Sequence, residues 1–178
     1  MKKVFEEDKM NVNELPKTDF EDNETGCCPR FQPEPWDEQK FIFDDKLFLK
    51  ANTINFFHRP LNMSSVMKKT WKKIEDAGAN SKDEFALLSY DPSAWKGEHY
   101  FTITREVPGG ENIHLSGTFM TKVLEGPYKE AGNWVGEMED YVESQGEEIE
   151  KLYFYYTTCP KCAEHYGKNY VVGFARIK

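Results

Sequence analysis

The strongest constraint on this fold is a unit that occurs twice. One copy runs from Phe41 to Val107 and the other from Ile113 to Ile177. Each reads strand, amphipathic helix, strand, strand. In the first, FIFDDKLFLK reads as a strand or hairpin, and Met63, Val66, Met67, Trp71 and Ile74 then recur at helical spacing between Asn62 and Ala77. Gly78 sits where a helix C-terminal cap belongs. Phe85–Tyr90 and His99–Val107 read as strands, with Asp91, Pro92 and Gly97 punctuating the link. In the second, Ile113, Leu115, Phe119 and Val123 share one face of a long strand. Gly126-Pro127 opens a helix, Ala131, Trp134, Val135, Met138, Tyr141 and Val142 form its apolar stripe, and Gly146 ends it. Leu152–Thr157 and Asn169–Ile177 follow as strands, joined by TTCPKCAEHYGK. Two such units predict an α+β domain: duplicated βαββ units forming a curved antiparallel sheet, with two helices on one face and a groove on the other. The turn at Val107–Asn112 joins the halves.

The first 40 residues stand apart as an extended N-terminal segment, and residues 41–178 form the domain. Residues 1–25 are acidic and polar and read as a weakly ordered lead-in. Residues 26–38, GCCPRFQPEPWDE, hold three prolines and two aromatics. Proline blocks regular strand pairing, so this stretch wraps over the domain with Phe31 and Trp36 as its anchors. At 178 residues the chain is long enough for a substantial core, and 15% of it is aromatic. A net charge of −8 disfavours nucleic-acid backbone binding. The charge serves solubility first, although an acidic pocket would favour a cationic ligand. No apolar run reaches the length of a membrane span, and the N-terminus lacks an apolar signal core. A cytoplasmic protein is expected, working as a monomer or homodimer. Its four cysteines then serve as thiols or metal ligands before disulfides.

The stretch GTFMTKVLEGPYKEAGNWVGEMEDYVESQG resembles the second half of the gyrase-inhibitor-like (GyrI-like) small-molecule-binding domains, and EFALLSYDPSAWKGEHYFTITREV resembles the end of their first half. The shortest shared motif is Gly126-Pro127-Tyr128. The resemblance covers residues 41–178. It implies a groove between the halves that takes amphipathic, often cationic compounds. Some members sit on transcription regulators, some bind gyrase, and some hydrolyse cyclopropane-containing genotoxins. Many members carry a glutamate two residues before a tyrosine on the strand after the second helix. Here that position is Lys151, before Tyr153. The Gly-Cys-Cys-Pro segment and the cysteine-bearing insert mark a distinct bacterial subgroup, whose chains are sometimes labelled hydrolases without a stated reaction.

Two sets of residues carry candidate chemistry. Cys159-Pro-Lys-Cys162 has the spacing that lets two thiolates meet one zinc. Cys27 and Cys28 are the obvious further donors. Successive side chains of an extended strand point opposite ways, so one of that pair with His165 serves as well as both. A structural zinc clip, plain reduced thiols and a redox pair all remain open. The redox reading is weakened because the motif lies between strands, whereas redox CxxC pairs open a helix. The second set lines the groove: Tyr100, Glu106, Phe119, Tyr153 and Tyr155. Glu106, dried by aromatic neighbours, would have a raised pKa and act as general acid or base. His58, His99 and His114 read as surface or packing histidines. No Ser-His-Asp order, phosphate loop or dinucleotide fingerprint appears. The leading function is sequestration of amphipathic or aromatic compounds, cationic ones included. The alternatives are a hydrolase opening a strained electrophile with Glu106 positioning water, and a protein-interaction module of gyrase-inhibitor type.

Overall fold

The computed structural model describes residues 12–178, so the reading of residues 1–11 lies outside the described residues. The chain runs β1 (Lys40–Phe56), β2 (Arg59–Pro60), α1 (Met63–Asp76), β3 (Leu87–Ser93), β4 (Lys96–Thr102), β5 (Glu111–Glu125), a 3-10 turn (Tyr128–Glu130), α2 (Ala131–Ser144), β6 (Ile149–Tyr156), α3 (Pro160–Tyr166) and β7 (Tyr170–Ile177). The described strands form one antiparallel sheet in the order β2-β1-β4-β3-β6-β7-β5, and β1 also pairs β5. That last pairing closes the sheet into a barrel, where an open groove was expected. Closure follows from strand length. β1 has 17 residues and β5 has 15, so Phe48–Lys50 bond β4 on one side and β5 on the other. A register shift between Phe43 and Lys46, with Asp45 at φ 56°, bends β1 where it turns the corner.

Residues directly opposed in an antiparallel ladder share a face. Following the register around the sheet gives the inner face: Phe41, Phe43, Phe48 and Lys50 on β1, Glu98 and Tyr100 on β4, Leu88 and Tyr90 on β3, Lys151, Tyr153 and Tyr155 on β6, Phe174 and Arg176 on β7, and Phe119 on β5. The outer face carries the long helices. Trp134, Met138 and Val142 of α2 pack with Met120, Leu124, Val171 and Ala175. Trp71 of α1 lies against Phe85 and Phe101, with ring centroids 5.0 and 6.3 Å away. Both helices therefore sit on one side of the sheet. Gly173 is required there, because a Cβ would collide with the Met138 side chain.

The N-terminal segment is tied down from residue 12 onwards, against the expectation of a loose lead-in. Asn13 exchanges two hydrogen bonds with the Asp44 backbone at 2.7 and 2.8 Å, and Leu15 is buried in the main core. Further along, the Thr121 hydroxyl donates to the Trp36 carbonyl at 2.5 Å and the Asp37 carboxylate accepts from the Val123 N–H at 2.9 Å. Trp36 and Phe31 do anchor the strap. The Trp36 ring lies 5.4 Å from Tyr155, 6.0 Å from Phe174 and 6.1 Å from Phe31, so the strap seals one end of the barrel.

Candidate ligand site and cysteine centre

The unsealed end of the barrel is ringed by polar groups that the register places together. Glu98 is their hub. It takes a hydrogen bond from the Tyr100 hydroxyl at 2.7 Å, and Lys50 and Lys96 approach at 3.3 and 3.2 Å. Burial resists the charge on Glu98, but these three donors outweigh it and hold its carboxyl below the usual range. Burial and then the Glu98 carboxylate push the Tyr100 phenol well above its ordinary value. Burial pushes Tyr153 up to about 12. Both phenols stay neutral donors.

Lys151 enters the same end from β6. Its ammonium lies 4.1 Å from the centroid of Tyr90, 5.0 Å from Tyr153 and 5.9 Å from Tyr100. A cation over ring faces is attracted by their negative quadrupole. Among the described residues no carboxylate pairs with it: Glu98 is taken by Lys50 and Lys96, and Arg176 is bridged by Glu150 at 3.0 Å. Burial lowers the Lys151 pKa from the ordinary lysine value.

The five residues read from the sequence as groove lining divide here. Tyr100, Phe119 and Tyr153 do come together, with Tyr153 centroids 5.8 Å from Tyr100 and 6.3 Å from Phe119. Tyr155 shares their face but lies at the sealed end, under Trp36 and Phe31. Glu106 does not join them. β4 ends at Thr102, so Glu106 is exposed to water in the following loop. Glu98 holds the position that was assigned to Glu106. The signal for it lay in the sequence, since Glu98 and Tyr100 are two apart on one strand. Tyr90 was also missed, because its side was fixed only by pairing with β4.

The four cysteines form the second centre. Sγ atoms of Cys27, Cys28, Cys159 and Cys162 all lie within 4.8 Å of one another. Cys27 and Cys28 are 3.7 Å apart. They point the same way because they sit in a turn after Gly26 (φ 67°), where a strand would have opposed them. Thr25 Oγ1 accepts from both of their N–H groups at 3.2 Å, and the Cys159 N–H donates to Cys28 Sγ at 3.5 Å. Cys159 and Cys162 lie on the first turn of α3, with Pro160 at its N-terminus and Gly167 (φ 76°) ending it. The motif therefore opens a short helix, which corrects its reading as an inter-strand turn and removes the ground on which the redox reading was discounted. His165, the alternative donor, is instead bonded to Glu24 at 3.0 Å. Burial raises the Cys28 thiol. For Cys162 burial acts upward too, but hydrogen bonds with Thr25, Cys159 and Cys28 bring it down to about 7.

A cavity of about 160 Å³ lies beside this centre, lined by Arg30, Phe31, Thr157, Tyr166, Lys168 and Tyr170. No described helix is long and apolar enough to cross a membrane. Just beyond Lys96, the hairpin tips expose Ile54, Phe56, Phe57, Leu61 and Trp95, with the Phe57 and Trp95 rings 5.1 Å apart.

Among known proteins, no curated relative matches the sequence. An uncharacterised conserved protein from Listeria innocua superposes with a TM-score of 0.56 at 11% identity, over 80% of this chain and 92% of that one. A hydrolase from Listeria innocua superposes at 0.54 and 12% identity, over the same shares. At these identities the likeness is one of fold. SAV2435 bound to tetraphenylphosphonium aligns at 0.46 and 12% identity, over 80% of this chain and 94% of that one, too loosely to carry anything across. The model of one family, bacterial hydrolase, matches residues 18–177. With nearly the whole described chain inside that match, the protein belongs to the bacterial hydrolase family.

Proposed function

We propose that this protein binds small amphipathic or aromatic molecules at the polar end of the barrel. One observation carries the reading. Tyr90, Tyr100 and Tyr153 converge there on a half-buried lysine and carboxylate while the opposite end is sealed by the chain's own strap. Aromatic faces with a few fixed polar groups are what a small-molecule site requires. The halves 41–107 and 113–177 read as copies of one βαββ unit: β4 lies between β1 and β3 as β7 lies between β5 and β6. Hydrolysis with Glu106 positioning water has no support, because that carboxylate is exposed in the loop that follows β4. The test is a thermal-shift screen of planar compounds. A true ligand raises the melting temperature of the wild type and of the Glu106→Gln variant alike, and its effect shrinks in Tyr153→Leu. Equal shifts in all three would remove the site.

The cysteine centre fits a structural zinc. Zn–S bonds of about 2.3 Å place tetrahedral sulfurs about 3.8 Å apart, close to the spacing seen for Cys27 and Cys28. Four thiolates complete the shell, so such a metal would tie the strap to α3 and leave no position for substrate.

A second reading, as a protein-interaction module, is favoured by the apolar hairpin tips, since large exposed apolar patches mark contact surfaces. Replacing Phe57 and Trp95 by serine would then abolish a partner contact and leave ligand shifts intact.

A further inference from the structure

We propose that the ligand of the polar end carries a negative charge: a planar aromatic anion whose carboxylate or similar group meets Lys151. The proposal rests on the binding reading above and names its ligand class.

Donors and acceptors at this end decide the class. Glu98 accepts from three donors, Lys50, Lys96 and the Tyr100 hydroxyl. Lys50 is shared further with Glu111 at 3.4 Å. Arg176 is held by Glu150. A cationic ligand would have to strip Glu98 of partners it already has. It would also have to enter a ring of tyrosine faces whose quadrupole is met by Lys151. The group left over is the Lys151 ammonium itself, seated on three rings and paired with no carboxylate among the described residues. An ammonium has three donors, and ring faces satisfy its charge without accepting its hydrogen bonds in line.

The local balance points the same way. Lys50, Lys96, Lys151 and Arg176 face Glu98, Glu111 and Glu150, four cations against three carboxylates. The chain as a whole carries −8. A cluster of positive excess on an acidic molecule is a place where an anion gains and a cation loses. The half-buried Tyr90 ring, which lies nearest the ammonium, offers the planar part of such a ligand a surface to rest on.

The experiment uses the full chain and three probes that share one naphthalene ring: 2-naphthoate, its isostere 2-naphthamide, and 2-naphthylmethylammonium. Affinities are read by calorimetry, and the location by the ring resonances of Tyr153. The wild type should bind naphthoate roughly tenfold or more tighter than the amide, as expected for a charge-assisted hydrogen bond, and the ammonium most weakly. Lys151→Met keeps the stem over the rings and should erase the preference. Lys151→Glu should invert it. A wild type that holds the ammonium as tightly as the naphthoate, or a Lys151→Met variant that keeps the anion preference, would overturn the proposal. Amide and ammonium binding that moves Tyr153 while naphthoate does nothing would sink the anion proposal and leave the binding site standing. Failure of all three probes to bind or move Tyr153 at millimolar concentration would overturn both.

Discussion

At the scale of single residues, the barrel holds one buried histidine whose state is fixed by its neighbours. His99 is 3% exposed. Its Nδ1 meets Ser89 Oγ at 2.8 Å and its Nε2 meets Thr53 Oγ1 at 3.0 Å. The Thr53 hydroxyl donates to Asn55, so it accepts from His99 and Nε2 carries a hydrogen. Burial lowers its pKa, against partial opposition from Asp91 and Glu98. A folded pKa below the unfolded value means that the unfolded chain binds more protons as pH falls below about 6.5. Stability should therefore decline between about pH 7 and 5, and His99→Asn, less stable at pH 7, should show a flatter profile of urea midpoint against pH over that window. An unchanged slope would contradict this. Residue identity was legible here, since packing was one of its two readings, but burial came only from the ladder. Lys151 was equally visible as a departure from the gyrase-inhibitor-like pattern. Its partners Tyr90 and Glu98 were not, because which residues meet at a barrel end depends on register between strands far apart in sequence.

At the scale of elements, α1 and the C-terminal end of α2 were legible to within a residue or two from periodicity and capping, whereas Gly126-Pro127, read as opening α2, leads into the 3-10 turn Tyr128–Glu130 and α2 starts at Ala131. The misses share a cause. The end of β4 was read five residues too late, at Val107 where the strand stops at Thr102, because Val107 and Ile103 are apolar and buried without being strand. That error alone placed Glu106 in the site. α3 was missed although Pro160 at its first turn and Gly167 at its end are ordinary start and stop signals. With only seven residues it shows no periodicity to read. The packing of α2 on β7 gives a sharp test. A methyl group at Gly173 would strike Met138 Sδ and lie 2.7 Å from its Cγ. Gly173→Ala should cost about 1–3 kcal/mol in urea unfolding. Adding Met138→Ala should recover part of that cost, so the two changes should be less than additive.

At the scale of the whole molecule, the barrel has two unlike ends. One is sealed by a strap that is pinned beside four cysteines, and the other keeps its polar groups partly open to water. Trp36→Ala removes the ring that fills the sealed end and should destabilise the fold by about 3–5 kcal/mol in urea unfolding. Protein purified without chelator should hold about one equivalent of zinc, and Cys159→Ser should lose it, with earlier proteolysis of residues 12–39 than in the wild type. Less than about a tenth of an equivalent would end the zinc assignment. Overall class and the strap anchors were legible from the repeat and from Phe31 and Trp36. Closure was not, because it arises from the β1–β5 pairing that no local pattern announces. The two-ended barrel is tested most directly by titrating the protein with the tightest probe while following the rings of Tyr153 and Trp36 by NMR. Saturable shifts at Tyr153, with Trp36 unmoved, are the predicted result. Shifts at Trp36 with Tyr153 silent would place binding at the strap end and contradict it.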